Sequence, residues 1–152
     1  MKSEINTRKG ELMNSIIIDI KSEIEQIDGE NQTIEMMTEA ELYEKNGSIF
    51  IIYFESEVSG MAGCKTMLKL SNNTISMTRF GETNSKIVFD LEQPTTSVYK
   101  TAYGDFDMTV TTNNLKSKID VDSQSGYLEI EYQMVLEHLS SSHNHLMIKV
   151  RS

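Results

Sequence analysis

The sequence is short of several residue types, and each shortage excludes a class of protein. It has one cysteine in 152 residues, Cys64, so no disulfide can form within the chain. It has one proline and no tryptophan, with only five phenylalanines and six tyrosines, so a core must be built mainly from aliphatic residues and methionine. The longest apolar run, residues 49–54, is far shorter than the ~20 residues of a membrane-spanning helix.

Basic residues are also in deficit, which bears on partners and location. There are 14 Lys and Arg residues against 23 Asp and Glu residues, giving a formal net charge of −9. An acidic surface repels phosphate groups, so we expect neither nucleic acid nor a membrane as a partner. The first apolar cluster, Ile16-Ile17-Ile18, runs directly into Asp19 and lacks the cleavage pattern of a signal peptide. We therefore expect a cytoplasmic protein.

The main positive feature is an alternation of apolar and polar residues with a period of two. In one stretch, Leu128 and Ile130 share one face of a predicted strand, whereas Glu129 and Glu131 share the other. Similar stretches recur from residue 16 to residue 150, separated by turn signals such as Asn46-Gly47. The pattern predicts about eight to eleven strands, each with one buried and one solvent-facing side.

We therefore predict an all-β fold: a single antiparallel up-and-down meander barrel, in which closure removes exposed sheet edges. A two-layer sandwich is the main alternative. The predicted barrel domain spans residues 15–152 and follows a flexible or short helical segment at residues 1–14. Within the domain, the alternation predicts separate strands at residues 106–110 and 115–121, and a polar loop at residues 140–144.

With the strands placed in this way, the sequence resembles the YwiB-like family of small bacterial proteins of unknown function over residues 16–150. Four short motifs carry the resemblance: Tyr53-x-Glu55, Arg79-x-Gly81, Tyr103-Gly104 leading into residues 108–112, and Gly126-x-Leu128-x-Ile130-x-Tyr132. The resemblance implies a calycin-like, lipocalin-type β-barrel. It implies no reaction and no established ligand.

Five residues in these motifs are candidates for a ligand site: Tyr53, Glu55, Arg79, Tyr103 and Tyr132. Polar residues near strand ends can line the mouth of a barrel, where an arginine would bind a carboxylate or phosphate through two N–H groups. The alternative role for Arg79 is a structural ion pair with Glu55 that closes one end of the barrel.

The sequence offers a weak metal site and no catalytic motif. His143-x-His145 places two imidazoles on one strand face, but a transition-metal site needs further ligands, of which Glu137 is near in sequence. The alternative, which we favour, is a solvated hairpin loop with incidental histidines. Phosphate-binding glycine loops, nucleophile elbows and zinc-protease motifs are missing. We therefore expect no metal, no cofactor and no enzymatic activity.

Two functional hypotheses remain. The first is a barrel that binds a small, partly apolar molecule in its interior. The ten methionines favour it because flexible thioethers adapt to apolar ligands, although they also fill irregular cores.

The second hypothesis is a structural or adaptor domain that acts through its outer surface, as a homodimer or with a protein partner. Residues 49–54 favour it, since they are apolar on both faces and an apolar outer face needs cover. The sequence leaves open whether the protein is a monomer or a homodimer.

Overall fold

The computed structural model describes residues 14–27, 29–81 and 84–152, apart from the side chain at position 101. All but the last residue of the predicted N-terminal segment therefore lies outside the described residues. The described residues form ten β-strands and one short 3₁₀ turn, with no α-helix among them. In the same part of the chain, no helix has the length and apolar character needed to cross a bilayer.

The strands follow the alternating stretches of the sequence closely. Their bounds are β1 (Asn14–Gln26), β2 (Gln32–Lys45), β3 (Ser48–Phe54), β4 (Lys65–Leu70), β5 (Thr74–Phe80), β6 (Ser85–Asp90), β7 (Thr95–Thr101), β8 (Gly104–Asp120), β9 (Ser125–Leu136) and β10 (Ser140–Arg151). The 3₁₀ turn, Glu57–Ser59, lies in the connection between β3 and β4.

All ten strands belong to one antiparallel sheet that curls into a nearly closed barrel. Their order is β6-β5-β4-β3-β2-β1-β10-β9-β8-β7, so every neighbouring pair except β1 and β10 is consecutive in sequence. The first and last strands pair from Ile17 opposite Arg151 to Gln26 opposite Ser142. The gap in the barrel therefore lies between β6 and β7, and we call it the seam. The predicted meander barrel is confirmed, and the alternative sandwich is wrong.

Strand β8 corrects one detail of the prediction. Residues 106–110 and 115–121 were expected to form separate strands, but Gly104–Asp120 is one continuous strand. Its pairing with β9 shifts register between Thr112 and Asn114, where an extra residue forms a bulge. The bulge moves the inward-facing positions from the phase of Met108 and Val110 to the phase of Leu115. The alternation of apolar and polar residues therefore changes phase here because of a bulge within one strand, and not because of a turn between two strands.

The predicted polar loop at residues 140–144 is also wrong. These residues begin β10, and the turn lies before them at residues 137–139, where His138 has a φ of 64°. Ser142 and Asn144 face the interior and are each only 6% exposed. The Asn144 side-chain amide donates a hydrogen bond to the Ser142 hydroxyl at 3.0 Å. Polar residues that satisfy each other in this way can occupy the inner face of a strand, which composition alone does not reveal.

The barrel interior is packed mainly with aliphatic side chains, as the composition requires. Apolar side chains with no more than 1% exposure come from eight of the ten strands: Ile16, Ile18, Leu42, Ile51, Leu68, Ile75, Phe89, Leu128, Ile130 and Ile148. Met77 and Met108 are buried among them, and Met36 and Met134 pack against them. Methionine thus contributes to the core on several strands.

Candidate functional site

A cluster of polar side chains lies inside the barrel near one end of β3, β4 and β5. Tyr53 is opposite Thr66 in the β3–β4 ladder, and Thr66 is opposite Arg79 in the β4–β5 ladder. Glu55 follows directly after β3, two residues from Tyr53, and is buried on the same side. Tyr132 on β9 is close enough to Arg79 for the positive charge of Arg79 to lower the Tyr132 pKa. We call these five residues the interior cluster.

Glu55 is the most deeply buried charged group of the cluster, with its side chain only 2% exposed. Its Oε2 atom accepts a hydrogen bond from the Thr66 hydroxyl. The Tyr53 hydroxyl is a second donor to the Glu55 carboxylate. Hydrogen bonds of this kind offset the cost of removing a carboxylate from water. Two neutral donors therefore hold Glu55 in place.

Arg79 pairs with Glu55 by distance but not by a directed hydrogen bond. Its Nε atom lies 3.5 Å from Glu55 Oε2, and its side chain is 22% exposed. The Nε–H group is buried and has no hydrogen-bond acceptor. Thr112, opposite Tyr132 in the β8–β9 ladder, likewise has a buried hydroxyl oxygen without a partner. Such groups are uncommon in native proteins, and each calls for an explanation.

Both tyrosines of the cluster are held in the neutral form. Burial raises the pKa of Tyr53, and the charge of Glu55 raises it further, against the opposing effect of Arg79. Burial also raises the pKa of Tyr132, again with Arg79 acting in the opposite direction. At physiological pH the two phenols are therefore uncharged hydroxyl groups that can donate hydrogen bonds.

The seam forms a cleft that leads towards the interior. At its closed end, the Thr95 hydroxyl donates a hydrogen bond to the Val88 carbonyl at 2.6 Å. Beyond this point β6 and β7 form no ladder within the described residues. The cleft between them has a volume of about 220 Å³. Ile87 and Val110 line it and also belong to the buried core, so the cleft reaches the inner face of the barrel.

The structure brings together four of the five candidate residues named from the sequence. Tyr53, Glu55, Arg79 and Tyr132 belong to the interior cluster, whereas Tyr103 is 93% exposed in the turn between β7 and β8. Thr66 was not among the residues singled out from the sequence. Its signal was available, because Thr66 occupies the same phase of β4 as the buried residues Leu68 and Leu70.

His143 and His145 lie on the outer face of β10. His145 Nε2 is 2.6 Å from Glu129 Oε2, and His145 Nδ1 is 3.4 Å from Glu23 Oε1. The hydrogen bond with Glu129 raises the pKa of His145, against a smaller lowering by burial. His143 is exposed. Across the described ranges, no three His, Cys, Asp or Glu side chains converge on one metal position.

The outer face of β3 carries the apolar residues that the sequence singled out. The Tyr43 and Phe50 rings stack there with centroids 4.9 Å apart, and Lys69 Nζ lies 5.9 Å from the Phe50 ring centre. Phe54 is 65% exposed, and Phe80, on the far side of β4, is 42% exposed. This surface is apolar along β3 and carries lysines on β4.

Comparison with known proteins places this barrel in a family. The family described as "Domain of unknown function (DUF1934)" matches residues 18–148, which is most of the chain. The chain belongs to this family.

This DUF1934 chain is similar to the "Uncharacterized beta-barrel protein YwiB" of Bacillus subtilis (strain 168). The two are 28% identical over 131 residues, which cover 86% of this chain and 87% of the relative. The chain is also similar to the crystal structure of the ywiB protein from Bacillus subtilis. That match has a TM-score of 0.79 at 24% identity and covers 92% of both chains. The predicted resemblance to the YwiB-like family is confirmed.

Proposed function

We propose that this protein is a calycin-like, lipocalin-like barrel of the cytoplasm that binds a small, partly apolar molecule in its interior and catalyses no reaction. The observation that carries the proposal is Arg79. Its Nε–H group is buried without an acceptor, next to a carboxylate that already receives hydrogen bonds from Thr66 and Tyr53. A buried donor left without an acceptor costs about 1–3 kcal/mol, and a bound molecule with an acceptor group would recover that energy.

The seam supports the proposal because its cleft reaches the inner face of the barrel. Its cleft of about 220 Å³ exceeds the ~150 Å³ that suffices for benzene in an apolar cavity. The lining includes both core residues, Ile87 and Val110, and polar residues such as Thr95 and Ser97. Binding sites for small molecules combine apolar walls with a few oriented polar groups in this way.

Native mass spectrometry of the freshly purified protein tests this function. We expect an added mass that survives gentle ionisation and is released when the same sample is denatured. The released molecule should be partly apolar and soluble in organic solvent. A metal-sized increment that disappears in a His143→Ala/His145→Ala variant would contradict the proposal and identify a metal protein instead.

A second candidate function, a structural or adaptor role as a homodimer, is favoured by the pattern of charge around β3. On the outer face, Glu39 and Glu41 lie on β2 and Lys65 and Lys69 lie on β4, all four exposed. Between them runs the apolar row of β3, with Glu41 opposite Ile52 and Lys65 opposite Phe54. The outer face therefore carries three parallel stripes: an acidic stripe on β2, an apolar stripe on β3 and a basic stripe on β4.

This arrangement is complementary to itself. A two-fold axis parallel to β3 would place the acidic stripe of one copy over the basic stripe of the other, with the apolar rows in contact. Self-complementary patches of this kind are required by a two-fold dimer. Because the ligand site is inside the barrel, a dimer through this face is compatible with the first function.

Light scattering over a concentration series tests the dimer. We expect a Lys65→Glu/Lys69→Glu variant to dissociate it and a further Glu39→Lys/Glu41→Lys exchange to restore it, because the stripes are then swapped and complementary again. A Lys116→Glu/Lys118→Glu variant on β8 is the matched control for the change in net charge. A protein that is strictly monomeric over the whole series would rule out the dimer.

A further inference from the structure

We propose that the interior cluster selects an uncharged ligand, in which an apolar portion carries a neutral hydrogen-bond acceptor such as an amide, ester or ketone, in preference to a carboxylate. This inference rests on the proposed interior binding function and specifies the class of ligand. It follows from which groups of the cluster donate, which accept and how their charges sum.

The cluster offers donors to a ligand more readily than acceptors. Arg79 presents a buried Nε–H group without an acceptor. Tyr132 is a neutral phenol whose hydroxyl proton is available to a ligand, whereas the Tyr53 hydroxyl already donates to Glu55. The acceptor of the cluster, Glu55, already receives hydrogen bonds from Thr66 and Tyr53. A ligand that binds here must therefore supply an acceptor oxygen.

Charge decides which kind of acceptor is preferred. The charged groups that act on Tyr53 are Glu55 and Arg79, one negative and one positive, so the cluster is neutral as it stands. A ligand carboxylate next to Arg79 would share one guanidinium with Glu55, whose side chain is 2% exposed. The second negative charge would be uncompensated in a site of low dielectric constant, where like charges repel strongly. A neutral oxygen accepts the same N–H group without this repulsion.

The surroundings of the cluster suit an apolar remainder. The Phe89 and Tyr132 rings are in contact, with centroids 4.7 Å apart and planes inclined by 57°. Phe89 is fully buried, and its strand, β6, forms one side of the seam. A ligand held at Arg79 would therefore extend along aromatic and aliphatic side chains.

Isothermal titration of the full chain with matched probes tests the inference. The probes are hexanamide, octanamide and decanamide, against hexanoate, octanoate and decanoate at pH 7.5. We expect the amides to bind at least about tenfold more tightly than the acids of the same chain length, since repulsion between buried charges exceeds this factor at short range. The comparison uses the unaltered protein, so it does not depend on how any variant folds.

Two variants test whether the preference for amides depends on the charge of Glu55. Glu55→Gln keeps an acceptor for Thr66 and removes the negative charge, so acids should gain at least about tenfold and the preference should vanish or reverse. Thr66→Val removes a hydrogen bond to Glu55 but leaves both charges, so the preference should remain. Circular dichroism of each variant confirms that it is folded before titration.

Each remaining outcome has a distinct meaning. Equal or tighter binding of the acids by the unaltered protein would overturn the inference while leaving interior binding intact. A preference for amides that Glu55→Gln does not change would show that the probes bind elsewhere, which also overturns it. If no probe of either class binds, both the inference and the proposed function fail.

Discussion

Breaking the pair between Arg79 and Glu55 should destabilise the barrel by an amount that the geometry predicts. Arg79→Met keeps the apolar stem and removes the guanidinium, which leaves the Glu55 carboxylate buried without a counter-charge. Removing one partner of a buried ion pair costs about 3–5 kcal/mol. Here the cost should be smaller, about 2 kcal/mol, because Arg79 is 22% exposed and Glu55 keeps its hydrogen bonds to Thr66 and Tyr53.

A double-mutant cycle separates the pair from its surroundings. Glu55→Gln alone should cost about 1 kcal/mol, since an amide can still accept from Thr66 but leaves Arg79 unpaired and partly exposed. The double variant should cost no more than Arg79→Met alone, because no buried charge is then left without a partner. The coupling free energy should therefore be about 1 kcal/mol or more.

Urea denaturation followed by far-ultraviolet circular dichroism measures these free energies, since the chain has no tryptophan to report on unfolding. Linear extrapolation with a common slope gives the free energy of unfolding for each of the four proteins. If the double variant costs the sum of the single variants within about 0.5 kcal/mol, the two side chains do not interact, which would refute the pairing of Arg79 with Glu55.

Three further predictions concern the backbone and the titrating groups. Gly126→Ala should lower the free energy of unfolding by about 2 kcal/mol more than Gly104→Ala does, as measured by urea denaturation. The two glycines have similar φ, 135° and 127°, but only at Gly126 would a Cβ meet backbone, 1.9 Å from the Lys118 carbonyl oxygen. Equal costs would contradict this prediction. The pKa of His145 is raised, so its stabilising effect should be present below about pH 6.5 and lost as pH rises through the folded-state pKa. The difference in free energy of unfolding between the unaltered protein and His145→Gln should therefore shrink as pH rises, and a difference that grows with pH would contradict this. The pKa of Tyr53 and the pKa of Tyr132 are raised, so the free energy of unfolding should fall as pH rises above about 10. Absorbance at 295 nm should then show that some tyrosines ionise only when the protein unfolds. Ionisation of all six tyrosines in the folded protein would contradict this.

The strands were predictable because their signals are local. Asn46-Gly47 indicated a tight turn, and both residues adopt positive φ, 53° and 80°. Leu128 and Ile130, which the alternation assigned to one face of a strand, are both fully buried in β9. Alternation and turn residues act within a few positions of each other, so they can be recognised without knowledge of the rest of the fold.

The position of the seam was not predictable, because it depends on pairing between distant parts of the chain. β6 and β7 are joined by only four residues, 91–94, and such neighbours usually pair. They separate here, and β1 pairs with β10 instead. No local pattern encodes that closure, which is set by how ten strands tilt and close together.

The interior cluster was partly predictable. The family motifs placed Glu55 and Arg79 at strand ends, and their proximity follows from the register of β3, β4 and β5. The missing hydrogen bond of Arg79 Nε and the burial of Thr112 depend on side-chain directions that no sequence pattern specifies. The sequence thus indicated which residues to inspect, whereas the polar atoms without partners could be found only in three dimensions.

The most direct test of interior binding is a crystal structure of the protein under xenon pressure. Xenon occupies apolar cavities that are large enough to hold a small molecule. We expect xenon inside the barrel, reached through the seam and in contact with Ile87 and Val110. A barrel that admits xenon only on its outer surface, with a solid interior, would contradict it.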